Sequence, residues 1–355
     1  MPMISYADAR AHVLARCTRL SPRTVDLDDA AGSVLATDVV AAEAVPPFAN
    51  SAMDGYAIRA DDVEGASPAS PVRLRVVGTV LAGQAGDLDV GTGCAARIMT
   101  GAPMPRGADA VVVVERSEMV GPDEVLLSEG AHLGRHVRPA GDDVAPGDLV
   151  LEAGTVLAPA HLGVLASVGC RRPVVVPRPS VAVVSTGDEL VDDDRPLGPG
   201  QIRETNRPTL MAAVTAFGMR AVDFGTVPDD AGQIRAALIA AASAHDAVIT
   251  TGGVSMGDVD LVKVVLGEVA DMTWMQVAIR PAKPFAFGVL DGTPVFGLPG
   301  NPVSSLVSLA MLALPGLRAM AGRGDLDLPR VRVRVAEGLD TRTDGRTAFV
   351  RARVG

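Results

Sequence analysis

The sequence predicts a multidomain protein: one α/β domain built on a parallel sheet, joined to a separate β domain. Three observations predict it. A chain of 355 residues exceeds one ordinary core, which implies two to four domains. From Pro46 to about Ala140, valine-rich segments such as "VRLRVVGTV", "CAARIMT" and "ADAVVVVERSEMV" are punctuated by Gly and Pro, the texture of a barrel or sandwich. From about Ser180 the pattern changes to apolar strands alternating with helices, as in a parallel sheet covered on both faces.

The elements follow in order. Ser5 precedes "YADARAHVL", whose apolar residues recur at helical spacing, so an N-terminal helix starts there. After the β region, "RPAGDDVAPGDLVLEAGTVLAPAHLGVLASVG" gives turns, two short strands and a small-residue helix ending at Gly169. "RRPVVVPRPS" is a connector, and "VAVVST" a fully apolar strand. "RPTLMAAVTAFG" is a helix closed by Gly218, "RAVDFGTV" a strand and "AGQIRAALIAAASA" a helix. "HDAVITT" and "TPVFGL" complete the strands, and "NPVSSLVSLAMLAL" is the last long helix. "PRVRVRVAEGL" and "RTAFVRARVG" are two further β segments. The expected domains are a segmented N-terminal domain over 1–45 and 141–179, a β domain over 46–140, an α/β domain over 180–324 and a partial C-terminal β domain over 325–355.

Composition narrows the function. Hydrophobic residues make up 48% and aromatics 3%, so the cores are built from Val, Leu, Ala and Ile. The formal charge of −10 argues against a nucleic-acid surface, which needs a basic footprint. Cys17, Cys94 and Cys170 lie far apart, form no metal spacing and read as reduced thiols. The N-terminus lacks the apolar core of a signal peptide. The run "LVSLAMLALPGL" is short and contains Pro315, which suits a buried helix better than a membrane span. A soluble, cytoplasmic protein is expected.

Three strands end in polar or Gly/Pro-rich loops: "STGDEL", "TTGGVSMGDVD" and "GLPGNPVSS". In a parallel sheet these emerge at one edge, where α/β proteins bind ligands. Gly252 and Gly253 permit positive φ and a concave nest of backbone N–H groups. Pro302 stands at the first turn of a helix with Asn301 as N-cap, which points free N–H groups at the same space. GxxxxGK[ST] and GxGxxG are both absent, so an anion there is held mainly by backbone. The acids on these loops, Asp188, Glu189 and Asp258, with Asp229 or Asp230 after a fourth strand, read as a magnesium site beside phosphate oxygens. Lys283, between two prolines, is aimed at a phosphate or oxyanion, with Arg280 beside it.

In this order, "FANSAMDGYAI", "IMTGAPMPRGADAVVVVE", "STGDEL", "TTGGVSMGDVD", "PAKPFAFG" and "GLPGNPVSS" resemble the molybdopterin molybdenumtransferases, the bacterial MoeA proteins and the gephyrin E domain. The resemblance spans about Pro46 to Ser305. It implies an elongated homodimer of four domains, among them a MogA-like α/β domain and a C-terminal β barrel that continues for several strands past "RTAFVRARVG". It implies adenylylated molybdopterin and molybdate as substrates, Mg2+ as cofactor, AMP as product and the molybdopterin adenylyltransferase as a partner. The positions it implies are Thr186, Asp188, Glu189, Asp229, Gly252, Gly253, Ser255, Asp258, Lys283, Pro299, Asn301 and Pro302. It adds Asp54 and Thr100 of the β domain, which in the family face the α/β domain of the other subunit. The family's "KPGKP" here has Arg280 for its first lysine and Ala282 for its glycine. A non-catalytic molybdopterin-binding scaffold and a tungsten-inserting relative are the competing readings. The retained acids with Lys283 favour the enzyme, and the whole β domain argues against a stand-alone adenylyltransferase.

Overall fold

The structure, a computed structural model, describes residues 3–252, 261–334, 336, 338 and 344–352. It divides into two bodies. One comprises the described residues of 1–37, 153–159 and 172–355; the other comprises 38–152 and 160–171.

The second body holds a six-stranded mixed sheet. Its strands are β1 (Gly55–Ile58), β2 (Val72–Val80), β3 (Cys94–Ile98), β4 (Ala110–Val113), β5 (Ser117–Met119) and β6 (Glu124–Leu127), in the order β4-β1-β3-β2-β6-β5. All neighbours are antiparallel except β2 and β3. Side chains alternate across the pleat, so Tyr56, Ile58, Ala95 and Val112 enter one buried cluster while Ala57, Ala96 and Val111 enter another. It is therefore one sheet covered on both faces rather than two packed sheets.

The first body is the α/β domain. Helix α1 (Tyr6–Leu14) begins where expected, with Ser5 Oγ accepting the Asp8 N–H at 3.0 Å. The sheet comprises β7 (Ser180–Thr186), β8 (Arg220–Val227), β9 (Ala247–Thr251), β10 (Asp271–Gln276), β11 (Pro284–Leu290) and β12 (Thr293–Leu298), in the order β8-β7-β9-β12-β11-β10. Helices α2 (Asn206–Ala216), α3 (Ala231–Ala244) and α4 (Leu261–Val269) cross between strands. Along β7, Val181 and Val183 face a core shared with α1, α2 and Leu309–Met320, while Ala182 and Val184 face one shared with α3 and α4. Both faces are thus covered, and β7 reads as an unbroken apolar run.

The sheet is not wholly parallel. β8, β7, β9 and β12 are parallel, but β11 runs antiparallel to both β12 and the edge strand β10. The cause is local: β11 and β12 are joined by Asp291–Gly292, both at positive φ (48° and 88°), a tight hairpin turn that reverses the chain.

Helix α5 (Pro302–Ser308) continues through a π turn, Leu309–Ala313, into α6 (Leu314–Met320). This 19-residue stretch is apolar enough to cross a membrane by composition, yet Leu309, Leu312, Leu317 and Met320 fill the core beside α1. Gly316 permits the approach of α1. A Cβ there would stand 2.7 Å from Cys17 Sγ and 2.8 Å from Val13 Cγ1. Near the C-terminus, Thr347–Ala348 pairs parallel with Ile279–Arg280. Residues 331–334, expected as a strand, carry none, and Val331 is exposed. An alternating pattern forms a strand only where another edge accepts its hydrogen bonds.

Candidate active site at the carboxyl edge of the sheet

Register sets the site. Thr186 lies opposite Val227, Ser185 opposite Thr251, and Thr251 opposite Leu298, so four parallel strands end level. The loops after Thr186, Val227, Thr251 and Leu298 therefore emerge side by side.

On the first loop, Asp188 and Glu189 are exposed while Thr186 is buried. Asp188 and Asp229 grip each other's backbone: the Asp229 N–H donates to Asp188 Oδ1 at 3.1 Å, and the Asp188 N–H to Asp229 Oδ2 at 3.4 Å. Asp230 is occupied differently, capping α3 by accepting the Gln233 N–H at 2.8 Å. The structure thus separates two adjacent acids that the sequence left open. Among the described residues no three metal-capable side chains converge. Magnesium takes only one or two carboxylates when substrate phosphates and water complete its shell, so the Asp188–Asp229 pair fits that ion.

Gly252 has φ +89°, and a Cβ there would stand 3.0 Å from the Thr186 carbonyl oxygen. That conformation and that contact account for the glycine and bring the second loop against the first. Gly253, Ser255 and Asp258 lie outside the described residues. On the third loop, Asn301 Oδ1 accepts the Ser304 N–H at 3.1 Å, with Pro302 at the first helical position, as the sequence indicated. Pro299 is buried at the end of β12.

Two side chains that the sequence did not single out join these loops. Asn206, only 9% exposed, donates through Nδ2 to Thr251 Oγ1 and to the Gly300 carbonyl, both at 2.8 Å. Glu204, also 9% exposed, accepts the Asn206 and Arg207 N–H groups on Oε1, at 2.7 and 3.1 Å. Glu204 and Asn206 line a cavity of about 100 Å3 with Thr186, Glu189, Gly252 and Pro302. In sequence, "RETNRP" reads only as helix-start chemistry.

Next to these loops is a second cavity of about 400 Å3, lined by Arg280, Lys283, Asn301, Ser304 and Arg346. The Lys283 carbonyl accepts the Val277 N–H at 2.7 Å, which anchors its backbone, while its side chain is exposed. Ala282, where the family's glycine would stand, is at φ +79° and buried, a conformation that costs an L-residue about 1 kcal/mol. Arg346 reaches the cavity because Thr347 pairs with Ile279. Arg346 and Asp344 are bonded, and Arg346, followed by Arg280, holds the Asp344 carboxyl below the usual range. That long-range pairing leaves no local signal, so Arg346 was missed.

Asp54 and Thr100 lie in the other body and meet there. Asp54 Oδ1 accepts the Thr100 N–H at 2.7 Å and its hydroxyl at 2.8 Å. These two bonds, the backbone one first, hold the Asp54 carboxyl below the ordinary range.

A sheet edge that offers backbone N–H groups, paired carboxylates and cations side by side defines an anion-binding α/β domain, here joined to a β-sheet domain. Residues 4–169 match the MoeA N-terminal region (domain I and II), and residues 182–319 match the probable molybdopterin binding domain. The chain is 44% identical over 338 residues to molybdopterin molybdenumtransferase 2 of Mycobacterium tuberculosis, covering 93% of this chain and 83% of that protein. It is 40% identical over 299 residues to the molybdopterin molybdenumtransferase of Haemophilus influenzae, covering 84% and 73%. A crystal structure of the molybdopterin biosynthesis MoeA protein from Pyrococcus horikoshii superposes with TM-score 0.71 at 36% identity, covering 91% of this chain and 81% of that one. The chain belongs to the molybdopterin molybdenumtransferase family, transferases of molybdenum cofactor biosynthesis.

Proposed function

We propose that the chain transfers molybdenum from molybdate to the dithiolene of adenylylated molybdopterin, with cleavage of the pyrophosphate link and release of AMP. The observation that carries this reading is the placement of two kinds of site at one sheet edge. The cavity of Arg280, Lys283 and Arg346 beside the N-terminus of α5 suits a tetrahedral oxyanion such as molybdate. The Gly252 turn and the Asp188–Asp229 pair suit a pyrophosphate. The reading extends to Gly253, Ser255 and Asp258, which follow Gly252 on the same loop, and to Glu189 and Thr186 beside it.

Asp188 and Asp229, with Glu189 and Asp258, would hold Mg2+, which when bound supplies neutralisation of charge on the phosphate oxygens. Lys283 and Arg280 hold and orient the oxyanion, and the first free N–H groups of α5, after Pro302, face the same ligand space. The Asp54–Thr100 pair acts on the α/β domain of a second subunit, so the active unit is a homodimer. It takes its substrate in the cytoplasm from the molybdopterin adenylyltransferase. Full activity in a monomer would remove the shared site.

The test is AMP release from adenylylated molybdopterin, with and without molybdate and Mg2+. Release is expected to need both, and to fall about 100-fold in Lys283→Ala, as for loss of one preorganised charge contact. Tight binding with no release under any condition would instead make the chain a scaffold.

A further inference from the structure

The α/β body has another opening, at the end of the sheet opposite the loops described above. A cleft of about 450 Å3 is lined by Arg23, Arg172, Arg178 and Arg220, with Thr24 and Ser33 adding hydroxyls. Arg220 begins β8 directly across from Ser180, the first residue of β7, and Arg178 lies two residues before that strand. Arg23 comes from a short strand paired with Val174–Val175. Three chain segments remote in sequence therefore contribute exposed arginines to the lining of one opening.

The charge there reverses that of the whole chain, which is −10. Four arginines face two aspartates, Asp26 and Asp29. Asp26 is engaged by Arg172 at 3.5 Å. Among the described residues, Arg23, Arg178 and Arg220 have no ion-pair partner. Like charges converging without partners repel one another, and a multivalent anion removes that cost. The cleft is also shaped around one of them. Gly32 sits at φ +75°, and a Cβ there would stand 3.1 Å from Arg178 Cδ, so its absence lets the Arg178 stem lie across the loop. Ser33, 4% exposed, lies in the same lining. Planar guanidinium forks and hydroxyls are the donor set for phosphoryl oxygens. The lining contains no aromatic side chain, so nothing there stacks on a base.

We propose that this cleft binds a compact phosphoryl oxyanion carrying at least two negative charges, of the pyrophosphate class, separately from the oxyanion cavity at the carboxyl edge. The probe is inorganic pyrophosphate, titrated calorimetrically into the full chain at low salt. Wild-type protein is expected to bind it, and Arg178→Ala/Arg220→Ala to bind at least about tenfold more weakly, as for loss of two charge-assisted contacts. Lys283→Ala, which alters the other cavity, is expected to retain this binding. A parallel ATP titration distinguishes the sources: tighter binding of ATP assigns the phosphoryl tail of a nucleotide, and weaker binding assigns free polyphosphate. No heat in the wild type, unchanged binding in the double arginine variant, or binding lost in Lys283→Ala alone overturns the proposal. Should the double variant fail to fold, hydrogen exchange on the wild type decides. Pyrophosphate should slow exchange in peptides spanning 20–33 and 172–180, and protection confined to 183–190 and 298–305 would overturn the site.

Discussion

Replacing Asn206 tests whether one amide holds the binding loops together. Its Nδ2 donates to Thr251 Oγ1 and to the Gly300 carbonyl, so it spans the ends of β9 and β12. Asn206→Ala removes both bonds. Each contributes about 0.5–1.5 kcal/mol net, which places the loss near 2 kcal/mol. Two features bound it: Gly300 is exposed, so water can replace one donor, while among the described residues buried Thr251 Oγ1 keeps 3.5 Å contacts to Pro299 O and Ser305 Oγ. Asn206→Asp keeps the shape but turns an acceptor and a buried charge toward the Gly300 carbonyl. It is expected to cost more than the alanine change, about 3 kcal/mol or above. The single tryptophan, Trp274 on β10, reports unfolding of this body through fluorescence in urea. In the proposed reaction both variants should also raise KM for adenylylated molybdopterin more than they lower kcat, because the loops are displaced rather than stripped of reacting groups. An Asn206→Ala midpoint within about 0.5 kcal/mol of wild type, or an Asp variant no worse than Ala, would refute the clamp.

Two further predictions concern titration. Asp54 has a depressed carboxyl pKa because Thr100 donates to it twice, so its contribution to stability is present above the ordinary carboxylate range and lost as pH falls through the lowered value. In Thr100→Val the backbone bond remains and the hydroxyl bond goes, so an NMR titration should show the Asp54 pKa rising part of the way back; no rise would break the assignment. Burial pushes the Cys17 thiol from 9.0 up to about 12, so the neutral form is favoured in the native state; the associated stability is fully present below the unfolded value and is lost progressively as pH rises from there to about 12. At pH 8 the native protein should expose at most Cys94 and Cys170 to a thiol reagent, with the third reacting on denaturation, and fast native labelling of Cys17 would contradict this.

The sequence by itself determined most of the elements and the edge where the polar loops gather. Apolar runs such as "VAVVST" and a proline after Asn301 act through the chain within a few residues, so strand β7 and the cap of α5 were legible before any contact was known. The four loops after parallel strands followed from topology alone, because parallel strands share one direction. Only the tertiary structure decided which of two adjacent aspartates faces Asp188, since capping by Asp230 and pairing by Asp229 differ in geometry and not in residue type. It alone placed Asn206 between two loops and Arg346 beside Lys283, contacts across tens of residues that leave no periodic trace in the chain. It also reversed one strand, β11, near the sheet edge, where the Asp291–Gly292 turn outweighed the strand–helix rhythm of the rest of the domain. Local propensity and burial are written along the chain, whereas the convergence of polar side chains depends on strand register, which only packing of the whole sheet sets.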